Sequence, residues 1–218
     1  MAASNQFTSA RKPLIYLITD GTTTAENYSE NRLKILKLIK VAVETNVSLI
    51  QIREKQLPAR LLFELASDAA KLTKNSMTKL LINDRADVAL AANADGVHLT
   101  SKSLSAETIK RLFPKNFIVG VSTHTLEKAV IARKQAADFI TFSPINHSPH
   151  KGDPQGIERL KEVCDELHPF PVIALGGIDE TNFADALKAG ASGFAAIRFL
   201  NDERNLRKLN DQFTEKYL

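Results

Sequence analysis

Two hydrophobic rhythms alternate along the chain. Short β-rich apolar runs at residues 14–20, 49–54, 79–84, 95–100, 117–123, 139–145, 171–177 and 193–199 predict strands. Each is followed by apolar residues at helical spacing, which predicts helices over 31–46, 58–76, 85–93, 105–113, 126–136, 156–168, 181–189 and 205–217. Local signals agree with these boundaries: Ser105 with Thr108 caps the fourth helix, Pro58 suits a first helical turn, and Gly190 follows the seventh. The beat is βα, eight times, and no internal repeat stronger than this beat is expected. Parallel strands need crossover connections, and eight such units close into a (β/α)8 TIM barrel. The rival, a doubly wound open sheet, calls for a glycine-rich turn after its first strand. Here that strand ends Thr19-Asp20-Gly21-Thr22, without Gly-x-Gly-x-x-Gly.

Polar words close several of the apolar runs, and in a barrel such strand ends converge on one mouth where chemistry is done. Gln51-Ile52-Arg53-Glu54-Lys55 ends the second strand. Arg53 offers a planar fork for phosphate oxygens and Lys55 a compact charge, although Arg53 and Glu54 could instead pair within the barrel wall. Gln51 shares the alternation of Arg53 and so points the same way, inward. Asn83-Asp84-Arg85 ends the third strand. Asp84 suits a hard cation such as Mg2+ and equally suits the N-cap of the next helix. Ser122-Thr123-His124-Thr125 ends the fifth; a histidine at 124 can act as a general acid or base or can pack in the wall, while the hydroxyls can bind phosphate or cap a helix. Ser148-Pro149-His150-Lys151 follows the sixth as a polar loop whose lysine fits a clamp on a leaving diphosphate. Gly176-Gly177 after the seventh strand and Ile197-Arg198 at the end of the eighth occupy the recurrent phosphate position of such barrels.

Size and composition narrow the classes. A chain of 218 residues, 44% hydrophobic, buries one core, with a loose polar leader expected over 1–12 and the barrel over 13–218. No apolar stretch approaches the roughly 20 residues needed to cross a bilayer, and the first dozen residues carry no apolar signal region, so a cytoplasmic location and no membrane partner are expected. Cys164 is the single cysteine, which rules out an internal disulfide and reads as a buried helix position. The net charge of +4 is spread along the chain. Its densest stripe, Arg32, Lys34, Lys37 and Lys40, interleaves with Leu33, Leu36, Ile39 and Val43 and reads as the wet face of an amphipathic helix. With no aromatic platform beside it, no nucleic-acid partner is expected. The mild positive balance suits an anionic small molecule. No oligomeric state is specified.

Taken together, Gln51-Ile52-Arg53-Glu54-Lys55, Asn83-Asp84-Arg85, Ala94-Asp95-Gly96-Val97-His98-Leu99, Gly120-Val121-Ser122-Thr123-His124 and Ala174-Leu175-Gly176-Gly177-Ile178 resemble the thiamine phosphate synthase superfamily. The resemblance runs from about Leu14 to Leu200. It implies a TIM-barrel transferase that joins 4-amino-5-hydroxymethyl-2-methylpyrimidine diphosphate to a thiazole phosphate with release of diphosphate. It further implies that Gln51, Arg53, Lys55 and Asn83 surround the pyrimidine and its diphosphate, that Asp84 is a Mg2+ ligand, and that Ser122 contacts the pyrimidine. Lys151, with Ser148 in its loop, would hold the diphosphate, while amides at Gly177 and Ile197 would hold the thiazole phosphate. The chain departs from the pattern in places. Ser103 stands where a second metal carboxylate is usual, Ser148-Pro149-His150-Lys151 replaces Thr-x-Thr-Lys, and Arg198 replaces a serine. The sister group of TenI-type thiazole tautomerases is similar around Thr100-Ser101-Lys102-Ser103 and would place its catalytic histidine at His124, with no need for Mg2+. A third expectation is a non-catalytic barrel that binds a thiazole or thiamine phosphate.

Overall fold

The structure, a computed structural model, describes Phe7, residues 12–148 and residues 152–217. Of the expected leader, only Phe7 and Lys12 are described; Phe7 is buried edge-on to Phe139 with ring centroids 5.5 Å apart. Pro149, His150 and Lys151 lie outside the described residues. The elements run β1 (Leu14–Ile18), α1 (Tyr28–Glu44), β2 (Leu49–Ile52), α2 (Ala59–Thr73), β3 (Lys79–Asn83), α3 (Ala86–Ala91), β4 (Gly96–Leu99), α4 (Ala106–Leu112), β5 (Ile118–Thr123), α5 (Leu126–Lys134), β6 (Phe139–Phe142), α6 (Gly156–Leu167), β7 (Val172–Leu175), α7 (Phe183–Lys188), β8 (Gly193–Ala196) and α8 (Glu203–Tyr217). The strands close into a barrel in chain order. This is the (β/α)8 architecture that the alternation predicts. No described helix is long and apolar enough to cross a membrane.

Backbone contacts divide the chain into two compact units. One holds Tyr16–His98 with Ile197–Leu218; the other holds Leu99–Ala196 with the chain up to Ile15. In the first, β2 pairs in parallel with β1 (Ile18 opposite Gln51) and with β3 (Gln51 opposite Leu81), and β3 pairs with β4 (Asn83 opposite His98). In the second, β5, β6, β7 and β8 pair in parallel, with Ser122 opposite Thr141 and Phe142 opposite Ala174. Within each unit, therefore, the strand C-termini emerge on one side. The strands are apolar runs buried along nearly their whole length, as expected for a parallel sheet covered by helices. β5 ends at Thr123 as predicted, and the other seven end one to three residues before the predicted limits. At those limits Arg53 and Asp84 leave the ladder, and Gly176 takes a positive φ.

Two details differ from expectation. On α1 the buried face is Ile35, Leu38, Ile39, Val41 and Ala42, whereas Leu33 is 64% exposed. Leu33 falls among the charged positions, where Lys34 pairs with Glu30 and Arg32 with Asp68. The second difference is a repeat of two βα units, finer than the simple beat. The ends of α1, α3, α5 and α7 share one geometry: Asn46, Asn93, Ala136 and Gly190 have φ of 55, 57, 61 and 97°. Their N–H groups bond Val43, Leu90, Arg133 and Leu187, and the next residues, Val47, Ala94, Ala137 and Ala191, bond back to Ala42, Ala89, Ala132 and Ala186. Each is a Schellman stop. The residues after it, Ser48, Asp95, Asp138 and Ser192, lead directly into β2, β4, β6 and β8. Asp95 and Asp138 also use their carboxylates to accept Leu80 N–H at 2.8 Å and Val119 N–H at 2.6 Å.

Candidate active site

At the C-terminal ends of β1 to β3 the organising group is Glu54. Its side chain is buried and accepts from the Thr19 hydroxyl (2.5 Å), Thr23 N–H (2.9 Å) and Gly21 N–H (3.3 Å). Three donors on one carboxylate pin the loop after β1, and Thr19 Oγ1 in turn accepts Arg53 N–H at 2.8 Å. The wall pair between Arg53 and Glu54 therefore does not form: Glu54 faces the loop. The Arg53 guanidinium makes no ion pair among the described residues. It lies against the Gly21 backbone, so closely that a Cβ at Gly21, whose φ is +79°, would stand 3.1 Å from Nη1. Lys55 is exposed beside it. Deeper in, Gln51 is 2% exposed and its Nε2 donates to the Tyr16 hydroxyl at 2.9 Å. That hydroxyl lies 3.1 Å from Nδ1 of His98. Burial raises the Tyr16 phenol well above its ordinary range and pushes His98 down to about 3, so both are neutral at physiological pH.

Asn83 ends β3, and Asp84 follows it in the left-handed region, exposed, with its N–H bonded to His98 O at 2.9 Å. The N-cap of α3 is Arg85, with no side-chain cap bond, so the capping role expected of Asp84 is not the one it has. Arg85 is turned onto Asp87 through Nε (2.8 Å) and Nη2 (2.5 Å), away from any ligand role. After β8, Asn201 bridges Ile18 O and Ile197 O, each at 2.7 Å. Among the described residues the Ile197 N–H donates to no protein acceptor, and Arg198 is exposed. A surface cavity of about 690 Å³, lined by Phe63, Lys71, Lys74, Ser76, Lys79 and Asp95, opens at the opposite, N-terminal ends of β3 and β4.

In the other unit, β5 carries Ser122, partly exposed, and Thr123, whose hydroxyl is spent on Thr141 O at 3.0 Å. His124 Nδ1 lies 2.7 Å from Ser143 O. A carbonyl only accepts, so Nδ1 is the donor and Nε2 is the ring nitrogen left to face a ligand. Thr125, one of the hydroxyls expected to cap a helix, caps α5, accepting Lys128 N–H. Gly176 and Gly177 have φ of 100 and 62° and press on the loop after β6: a Cβ would meet Pro144 Cα at 2.8 Å and His147 O at 2.6 Å respectively. Only glycine fits there on both counts. Asn146 and Asn182 clasp Gly177 O at 3.1 and 2.9 Å, while Gly177 N–H is left without a protein acceptor among the described residues. Ser148 is partly exposed at the edge of this loop. Ser103 closes a turn, its Oγ accepting Thr100 N–H at 2.7 Å.

Sequence reasoning thus located Gln51, Arg53, Asn83 and Asp84 on one set of strand ends and Ser122, His124, Ser148, Gly176 and Gly177 on another. It missed Tyr16, His98, Glu54 as the loop anchor, Ser143 and Asn146. A tyrosine and a histidine in the middle of apolar strands were the available signal for the first two. Cys164 is a buried helix position as expected, its thiol pushed up to about 12 by burial.

A (β/α)8 barrel, the class of fold whose enzymes work at the C-terminal strand ends, is what these elements define. The family described as thiamine monophosphate synthase matches residues 15–200, and the chain belongs to that family. It is 44% identical over 186 residues to a putative thiamine-phosphate synthase of Geobacter sulfurreducens, covering 84% of each chain. It is 45% identical over 187 residues to putative thiamine-phosphate synthase 2 of Aquifex aeolicus, covering 85% of this chain and 96% of that one. Among solved structures, thiamine phosphate pyrophosphorylase from Pyrococcus furiosus superposes with a TM-score of 0.76 at 29% identity, covering 93% of this chain and 98% of the other.

Proposed function

We propose that the protein joins 4-amino-5-hydroxymethyl-2-methylpyrimidine diphosphate to thiazole phosphate, forming thiamine phosphate and releasing diphosphate. The observation that carries this reading is the Arg53 guanidinium, held at the end of β2 against Gly21 with no acidic partner among the described residues. An arginine kept free of carboxylates is available for a diphosphate. Breaking the C–O bond sends its electron pair to the diphosphate and leaves a benzylic-type cation on the pyrimidine. Arg53 and Lys55, with Lys151, stabilise the charge that departs. The thiazole nitrogen then supplies the pair for the new C–N bond. Gln51, Asn83 and Ser122 orient the pyrimidine. The N–H groups of Gly177 and Ile197, which have no protein acceptor among the described residues, suit the thiazole phosphate, aided by Gly176, Ser148 and Arg198. The substrates are small phosphorylated heterocycles, and the setting is cytoplasmic.

Mg2+ fits here only as an ion that arrives with the substrate. Asp84 is a single exposed carboxylate, Ser103 is engaged in its own turn, and no group of three His, Cys, Asp or Glu is arranged for a metal among the described residues. One carboxylate plus phosphate oxygens is an ordinary Mg2+ ligand set. Bound there, the ion would neutralise diphosphate charge. A second reading, thiazole tautomerisation, is favoured by one observation: His124 leaves Nε2 to face a ligand, where it can serve as a base. A single assay decides. Purified protein given both half-substrates should form thiamine phosphate with Mg2+ and stop in EDTA. Proton exchange on a thiazole phosphate carboxylate that persists in EDTA, with no thiamine phosphate made, would establish the tautomerase instead.

A further inference from the structure

The loop after β7 is held by its carbonyls, and in a planar peptide that decides where its N–H groups point. Ile145 N–H donates to Leu175 O at 3.0 Å and Asn146 N–H to Gly176 O at 2.9 Å. Gly177 O takes two side-chain donors, Nδ2 of Asn146 at 3.1 Å and Nδ2 of Asn182 at 2.9 Å. A carbonyl only accepts, so both amides present nitrogen to Gly177 O whatever else they touch. The sense of the Asn182 amide is fixed a second time, because its Oδ1 accepts Asp179 N–H at 3.1 Å.

In a trans peptide the N–H points opposite to the C=O of the same unit. The bonds on either side of Gly177 are trans, since the cis bonds of the chain precede Pro144 and Pro169. Asn146 draws the Gly176 and Gly177 carbonyls toward itself, which turns the N–H groups of Gly177 and Ile178 away from it. Neither N–H has a protein acceptor among the described residues. Ile178 is only 5% exposed, and a donor in such a place is met by water or a ligand. Successive N–H groups that follow residues at positive φ, here 100° at Gly176 and 62° at Gly177, make a concave nest suited to an anion.

We propose that Asn146 and Asn182 are positioning residues: by holding the Gly177 carbonyl they aim the N–H groups of Gly177 and Ile178 at a phosphate, which on the synthase reading is that of the thiazole substrate. The identity of the ligand rests on that reading; the direction of the donors rests on the loop alone. Two hydrogen bonds on one carbonyl share the task. Loss of either asparagine loosens the peptide, and loss of both lets it rotate about glycine bonds, the most permissive in the chain.

The experiment measures KM and kcat for both half-substrates, and for the thiazole alcohol that lacks the phosphate, in wild type, Asn146→Ala, Asn182→Ala and the double variant. KM for thiazole phosphate should rise about fivefold in each single variant and about 20-fold or more in the double. KM for the pyrimidine diphosphate should stay within about twofold, and kcat/KM for the alcohol should follow it. Folded variants that keep the wild-type KM for thiazole phosphate, or that weaken phosphate and alcohol alike, overturn the proposal. A wild type that forms no thiamine phosphate overturns the functional reading instead. In that event, or if a variant does not fold, 15N-labelled protein titrated with inorganic phosphate decides. Movement of both the Gly177 and Ile178 amides, with the midpoint raised in any asparagine variant that folds, supports the proposal; amides that stay in place overturn it.

Discussion

Single side chains divide sharply here between those that serve the fold and those left available to a ligand. Glu54 belongs to the first kind, since its carboxylate is filled by three donors from the loop after β1. Arg53, its neighbour, belongs to the second. His98, which is buried, belongs with the fold. Between its folded value of about 3 and the ordinary 6.5, the unfolded chain binds a proton that the folded chain refuses. The stability that comes from keeping the ring neutral is full above pH 6.5 and drains as pH falls, by up to about 1.4 kcal/mol per pH unit. His98→Leu removes this term. Urea unfolding of the two proteins from pH 7 to pH 5 should show wild type losing about 2 kcal/mol more than the variant. Parallel losses would show that His98 does not titrate as its burial requires. The sequence made Gln51, Arg53 and Asp84 legible because charge and amide at a strand end stand out against an apolar run. It hid Tyr16 and His98 because their meaning depends on a contact between residues 82 positions apart.

Among the elements, the alternation of periods was enough to find all eight strands and helices, with ends displaced by a few residues. The displacement has a cause: terminal residues such as Arg53 and Asp84 belong to the apolar run by position, yet leave the ladder to serve loops. The Schellman stops of α1, α3, α5 and α7 were harder to see, because Asn46, Asn93, Ala136 and Gly190 are three different residue types in one backbone conformation. Glycine announces that conformation, asparagine suggests it, and alanine conceals it. Ala136, at φ 61°, bears a steric cost that glycine would not. Ala136→Gly should therefore raise the free energy of unfolding by about 0.5–1 kcal/mol, and the melting temperature by roughly 2 °C, despite the greater freedom of glycine in the unfolded chain. Calorimetry of the two proteins measures this directly. A drop in melting temperature would mean that the stop is not strained at alanine.

For the molecule as a whole, strand interiors and helix stops hold the fold, and the proposed chemistry falls to the C-terminal strand ends. The family match over residues 15–200 spans nearly all of this architecture. The departures at Ser103 and Arg198 fall at loop positions, where barrel enzymes vary their chemistry without disturbing the core. The central claim is that the end of β2 binds and activates a diphosphate. The most direct test is the rate of thiamine phosphate formation by wild type and by Arg53→Ala, with thermal unfolding followed in parallel. Loss of an unpaired arginine that stabilises the departing group should lower kcat/KM for the pyrimidine diphosphate by about 100-fold or more, with kcat itself reduced, while the melting temperature barely moves. Undiminished turnover in a folded Arg53→Ala protein would contradict the account.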